Sequence, residues 1–404
     1  MEATRKSDRW LMLIVGALLV FGLVMITSIG VPKSIQLSAP NVMYPSCDDP
    51  AVDCYLLFKK HLFRLGIGVI AFFIGAKLSY RFWRKISIGV FIALVGLLIA
   101  VLIFGSTFNT FSRSWIQIFY TTFQPTELAK LAMILYFSHW LEKRRLELKT
   151  FKYGFLPFIV IMALIIVPIL MQPDIGSVVI IVGIASIMYF CAETRIKHLV
   201  IGVLAAIIIG LLFALTIPHI RQRFVTFIGI GDSVACKEAA CWQTEQANIA
   251  VGSGGFFGKG LTQGIQKSYW LPQASDDFIF AASAEELGFM RIVFIVIAYS
   301  AIAYRGFKIA STAPDVFAML AATGITAWIT IQAYLNIAVN IGLFPVTGIT
   351  LPFISYGGSS LVSTLLGIGI LINISSHTKS YASGFHGWRH IRPRPPKYSH
   401  YRRG

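Results

Sequence analysis

The sequence predicts an all-α, polytopic membrane protein of about ten transmembrane helices, with both termini in the cytoplasm. Three observations carry this prediction. Apolar runs of about 20 residues, long enough to cross a bilayer, recur along the whole chain. Charged residues make up only 13% of the sequence, against roughly 25% in soluble domains. Basic residues gather in short segments between alternate runs: "RFWRK" (81–85), "EKRRLELKTFK" (142–152), "ETRIK" (193–197), "RGFK" (305–308) and the tail. That alternation is the positive-inside pattern that sets topology.

The first run, "WLMLIVGALLVFGLVMITSIGV" (Trp10 to Val31), carries no charge. It is too long, and too closely followed by further runs, for a cleaved signal peptide. The spans that follow are expected at 62–79, 87–105, 125–141, 153–171, 175–191, 198–217, 285–304, 314–338 and 358–375. Helices are required because lipid offers the backbone no hydrogen-bond partners. Residues 1–376 read as one membrane domain with a large outer loop at about 218–284, and 377–404 as a basic cytoplasmic tail expected to be disordered. The net charge of +17 therefore belongs to topology and to anionic lipid, not to nucleic acid. No internal repeat is visible, which weakens an inverted-repeat transporter reading.

Four of the five cysteines fall in loops on the face opposite the basic segments. Their short spacings fit disulfides Cys47–Cys54 and Cys236–Cys241 in an oxidising compartment, with free thiols or pairing between loops as alternatives. No histidines accompany them, so zinc is not expected.

The costly residues are ionisable groups in apolar surroundings. Glu127 and Lys130 stand at i and i+3 behind Pro125, so they share one helix face. An ion pair at membrane depth marks either a functional route or a buried pair that fixes packing. Asp174 in "QPDIGS" is placed to cap the next helix. Arg113, Arg221, Arg223, Lys259 and Lys267 oppose the positive-inside trend and suit an anionic headgroup such as a diphosphate, or are ordinary solvated loop charges. "VGSGGFFGKGLTQG" (251–264) holds six glycines and is either a flexible loop or one shaped around a headgroup. In "LPQASDDFIFAASAEELGF" (271–289), Asp276 and Asp277 are adjacent and point different ways, while Glu285 and Glu286 read as helix-start or packing acids. A carboxylate balanced between desolvation and nearby cations can accept a proton at neutral pH. On the residues alone, a catalytic base and an ion-coupling carboxylate of a transporter both remain open.

The motifs "FQPTELAKL", "QPDIGS", "VGSGGFFGKGL", "DDFIFAASAEELGF" and "GLFPVTGITLPFISYGGSS", in this order, resemble the SEDS family of peptidoglycan polymerases. The similarity runs from the first span to "GILINIS" before the tail. It implies a ten-helix, inverting glycosyltransferase at the outer face of the cytoplasmic membrane, acting on lipid II, a disaccharide-pentapeptide on undecaprenyl diphosphate. The family's proposed base falls on Asp277, and its Glu and Lys on Glu127 and Lys130. Its loop Arg-Trp falls near Arg113 and Trp115, with the Arg one place displaced. Ser355, Gly357 and Gly358 of "SYGG" join Arg113, Glu127, Lys130, Arg221, Arg223 and Lys259 as candidate substrate-binding residues. Where the family reads close to "LPEAHTD", this chain has Gln273, Ser275 and Asp276. The additional carboxylate makes Asp276 and Asp277 candidate ligands for a divalent cation, Mg or Mn. Details such as Thr350 look more like the division-type branch than the elongation-type one. Either branch implies a class B penicillin-binding protein as transpeptidase partner, and the division type implies other divisome membrane proteins. A lipid II flippase is the principal rival, and a divisome scaffold a third reading that leaves Glu127, Lys130 and Asp277 unexplained.

Overall fold

The computed structural model describes residues 7–40, 45–105, 114–118, 121–216, 221, 223, 227, 229 and 239–377. Its helices are α1 (Arg9–Ile29), α2 (Val31–Ser38), α3 (Leu56–Lys77), α4 (Tyr80–Phe104), α5 (Pro125–Lys143), α6 (Leu156–Met171), α7 (Ile175–Cys191), α8 (Ile196–Thr216), α9 (Ala239–Ser253), α10 (Ile279–Ser311), α11 (Val316–Asn340) and α12 (Gly358–Ser376). Each apolar stretch expected to span coincides with one of the longer helices. Among the described residues, six helices are long and apolar enough to cross a membrane on their own, with shorter apolar helices at Ile175–Cys191 and Ile196–Gly210.

Local chemistry explains the helix starts. Asp8 caps α1 by accepting from Leu11 N at 3.0 Å, and Asp315 caps α11 by accepting from Ala318 N at 2.8 Å. Pro125 opens α5 where its missing N–H costs nothing.

The structure departs from the all-α expectation at one place among the described residues. A short antiparallel hairpin pairs Ile116–Ile118 with Thr121–Phe123 just ahead of α5. The long stretch ahead of α10 contains α9. Helix α10 begins at Ile279 and is broken at Gly288 (φ 76°, ψ 171°). Glu285 and Glu286 therefore lie inside it, not at its start.

Helices α11 and α12 are enclosed by the bundle, and glycines allow the tightest crossings. A β-carbon on Gly75 of α3 would lie 2.6 Å from Leu366 O, and one on Gly369 of α12 would lie 2.3 Å from Phe72 O. Small residues bring membrane helices into this kind of backbone contact, where dispersion must replace the hydrophobic drive.

The polar contacts divide between the two ends of the bundle. At one end Arg305 grips Asp8 at 2.6 Å, Tyr80 donates to Asp315 at 2.9 Å, and Arg84 meets Glu142 at 3.0 Å. Asp8 N donates to Ser375 Oγ at 3.1 Å, so the start of α1 and the end of α12 lie together. The opposite end holds the Cys47–Cys54 disulfide, with a Cα–Cα distance of 5.8 Å, and the carboxylates singled out above. Cys236 lies outside the described residues, as does the Cys241 side chain.

Candidate active site

The segment Val346–Thr350, between α11 and α12, gathers the site. It is irregular backbone at one end of a helical bundle, so its carbonyls need partners from side chains. Arg223 Nη1 donates to Val346 O at 3.1 Å. Asn336 Nδ2 donates to Ile349 O at 2.7 Å, and Gln332 Nε2 to Thr350 O at 3.1 Å. Gly176 at the start of α7 packs so closely that a β-carbon there would lie 2.8 Å from Thr347 O. Gly348, at φ +71°, faces Asp277.

Asp277 precedes α10 and is held by its main chain. Its carbonyl accepts from Asn336 Nδ2 at 2.8 Å and Asn340 Nδ2 at 2.9 Å. Asn340 Oδ1 in turn accepts from Ala281 N at 2.9 Å, so the pair clamps the entry to α10. The Asp277 carboxylate has no hydrogen-bond partner among the described residues. Burial pushes its pKa up to about 7, with the negative charge of Asp276 adding to the rise and Lys33 and Arg223 opposing it.

Asp276 has a different fate. Its Oδ2 accepts from Lys33 Nζ at 2.5 Å, and its Oδ1 from Ser275 Oγ at 3.2 Å. The two adjacent carboxylates therefore do not converge. Among the described residues no group of three or more His, Cys, Asp or Glu could hold a metal ion. With Asp276 already given to an ammonium, the pair does not fit a two-carboxylate cation site.

Glu127 and Lys130 form the buried pair expected from their spacing, at 2.7 Å. Lys130 Nζ also donates to Gln332 Oε1 at 3.0 Å, which accepts from Trp328 Nε1 at 2.8 Å as well. Glu127 Oε2 is buried with no hydrogen-bond partner among the described residues. Gln332 thus links the pair to Thr350 and the gathering segment. Asp174 caps α7, accepting from Ser177 N at 3.0 Å and from Gln124 Nε2 at 3.3 Å.

Lys259 pairs with buried Glu285 at 2.7 Å, and Ile265 N and Gln266 N also donate to that carboxylate. Lys267 pairs with buried Glu286 at 2.6 Å, and Ser28 Oγ donates to the same group. These pairs fasten the glycine-rich loop and the segment after it to α10 and α1. Gly258 and Gly288 permit the closeness, since a β-carbon on Gly288 would lie 2.1 Å from Gly258 N. Ser355 closes a turn, accepting from Leu351 N at 2.8 Å. Gly357 caps α12, and Gly358 lies beneath Arg64, whose guanidinium sits 4.6 Å over the Tyr356 ring. Tyr356 N donates to Ser275 O at 3.0 Å, joining this turn to the Asp277 loop. Arg221 is exposed. Arg113 lies outside the described residues.

Sequence reasoning missed Gln332, Asn336 and Asn340. Their signal was present as three carboxamides spaced by four in an apolar helix, all on one face. Buried carboxamides require partners, and these supply the ones that irregular backbone needs.

The arrangement defines a class: an integral membrane protein whose helical bundle holds, at one end, a carboxylate with no hydrogen-bond partner among the described residues, beside cations. The chain belongs to the cell cycle protein family of FtsW, RodA and SpoVE, whose model matches residues 9–380. It is 38% identical over 330 residues to stage V sporulation protein E of Bacillus subtilis (strain 168), covering 81% of this chain and 89% of that protein. It is 32% identical over 381 residues to a probable peptidoglycan glycosyltransferase FtsW of Geobacter metallireducens, covering 94% and 97%. Among solved structures it resembles a chain from a peptidoglycan synthase complex that coordinates polymerization and crosslinking, with TM-score 0.72, 25% identity and coverage of 91% and 97%. A mutant of the rod shape-determining protein RodA of Thermus thermophilus matches with TM-score 0.65, 25% identity and the same coverage.

Proposed function

We propose that this chain is a peptidoglycan glycosyltransferase that polymerises lipid II into glycan strands for septal synthesis, with Asp277 as its base. One observation carries the assignment of the base: of the two adjacent aspartates, Asp276 is bound by Lys33, whereas Asp277 is fixed by its backbone with its carboxylate free. A pKa near 7 suits a group that must accept a proton at neutral pH.

In this reading Asp277 removes the proton from the 4-hydroxyl of the acceptor's GlcNAc. That oxygen attacks the anomeric carbon of the donor's MurNAc, and the bond to the lipid diphosphate breaks. A single displacement inverts α to β. The departing diphosphate is stabilised by preorganised cations, for which Arg223 is the nearest supported candidate, since it interacts electrostatically with Asp277 and Asp174. Lys130 reaches the same segment through Gln332.

The membrane is the bacterial cytoplasmic membrane, with the site facing outward and ten spans that leave both termini inside. The basic segments at the end where Asp8 meets Ser375 support this orientation. Relatives named FtsW support the division role. A class B penicillin-binding protein is the transpeptidase partner in this reading, in keeping with the likeness to a synthase complex that couples polymerization to crosslinking.

The test is polymerisation of lipid II by the purified chain, without ATP or an ion gradient, with and without that partner. Wild type makes polymer and Asp277→Asn does not. Polymer from the Asn variant overturns the assignment of the base.

A further inference from the structure

Gln273 and Asp276 converge on a single side chain from a distant helix. Lys33 sits in the first turn of α2, the short helix that follows α1 directly. Its Nζ reaches Asp276 Oδ2 at 2.5 Å and Gln273 Oε1 at 2.9 Å. Ser275 Oγ closes the set on Asp276 Oδ1 at 3.2 Å. Gln273 occupies the left-handed region at φ 55°, a conformation that persists in a non-glycine residue only where its surroundings enforce it. The turn it makes carries both Asp276 N and Phe278 N, which donate to Gln273 O at 3.0 Å and 3.3 Å.

Helix α2 is itself well supported. Ser34 Oγ accepts from Leu57 N at 3.1 Å, and Tyr269 OH donates to Pro32 O at 3.3 Å. Val31 and Ile35 pack on a small apolar cluster of Ala39, Val52 and Cys54, the last of these in the Cys47–Cys54 disulfide. A lysine on so firm a base can hold another segment in place, because little of its backbone freedom remains to be lost.

We infer that Lys33 is a positioning residue for the polymerase reaction: it sequesters the Asp276 carboxylate and braces the Gln273 turn, so that Asp277 alone meets the acceptor hydroxyl. The inference rests on Asp277 being the base. Without Lys33, Asp276 is an unpaired anion beside Asp277, free to turn toward the same hydroxyl and to displace the base. Replacing Asp276 by a neutral isostere removes the competitor, so the need for Lys33 largely disappears.

The experiment measures kcat and KM for lipid II with purified full-length chain in liposomes, alongside thermal unfolding. Lys33→Met lowers kcat at least about tenfold with KM within about twofold, the pattern of misplaced catalytic geometry. Lys33→Arg retains most of the activity. Adding Asp276→Asn to Lys33→Met restores kcat to within about threefold of wild type. A wild-type kcat in Lys33→Met overturns the proposal. So does a raised KM with unchanged kcat, which makes Lys33 a headgroup contact. A folded double variant that remains inactive overturns it too, and this arm decides the matter even if Lys33→Met fails to fold. Asp277→Asn is run in parallel. Polymer from that variant removes the base assignment, whereas its inactivity together with a normal Lys33→Met removes this inference alone.

Discussion

Asn336 ties the proposed base to the segment that faces it. One carboxamide nitrogen donates both to Asp277 O at 2.8 Å and to Ile349 O at 2.7 Å. The distance between Asp277 and Gly348 is thereby set by a side chain that need not touch substrate. Asn336→Leu leaves Ile349 O without this donor, at a cost of about 1–3 kcal/mol, and leaves Asp277 O held by Asn340 alone. We expect a lower unfolding temperature in detergent and a kcat for lipid II polymerisation reduced at least about tenfold. An unchanged kcat would show that the clamp does not position Asp277.

The pH dependence follows from Asp277. The proposed base works deprotonated, so polymerisation is expected to rise with pH along an acid limb centred near 7. The stability sign is opposite. A carboxylate whose folded pKa is raised contributes stability below its unfolded pKa, and loses it as pH climbs from about 4 through about 7. Asp277→Asn is therefore expected to unfold at the same temperature as wild type or higher at pH 8, while making no polymer. Inactivity accompanied by a lower unfolding temperature would point to misfolding instead.

Lys130 and Glu127 test the cost of a broken buried pair. Lys130→Met leaves the Glu127 carboxylate buried with no cation, a loss of about 3–5 kcal/mol. Combining it with Glu127→Gln removes the stranded charge and should recover most of that stability, yet not activity if Lys130 serves catalysis. Thermal unfolding and polymerisation of the single and double variants separate the two roles. Recovery of both together makes the pair purely structural.

The latch on α10 should govern the loop that precedes it. Glu286→Gln weakens the Lys267 and Ser28 contacts, and Glu285→Gln weakens those of Lys259, Ile265 and Gln266. Limited proteolysis is expected to cut residues 254–270 faster in either variant. Gly288→Ala should do the same more severely, because its β-carbon has no room beside Gly258 and its φ of +76° disfavours any side chain. Wild-type cleavage rates in all three would show that the loop is held elsewhere.

The sequence alone settled whatever depends on neighbours along the chain. The longer helices fall on the apolar stretches because span length is fixed by bilayer thickness and composition. The Glu127–Lys130 pair and the Asp174 cap were legible because helical periodicity and capping act within a few residues. Tertiary structure decided the rest. Asp276 and Asp277 are chemically identical and adjacent, and only the arrival of Lys33 from α2 makes one a paired anion and leaves the other free. Glu285 and Glu286 became a latch because Lys259 and Lys267 return from a loop to meet them. The segment Val346–Thr350 became the centre of the site because carboxamides on α11, Arg223 and the start of α7 all converge on its carbonyls. Such contacts join residues tens or hundreds of positions apart, and no local pattern encodes them; the expense of burying a polar group without a partner is what selects them.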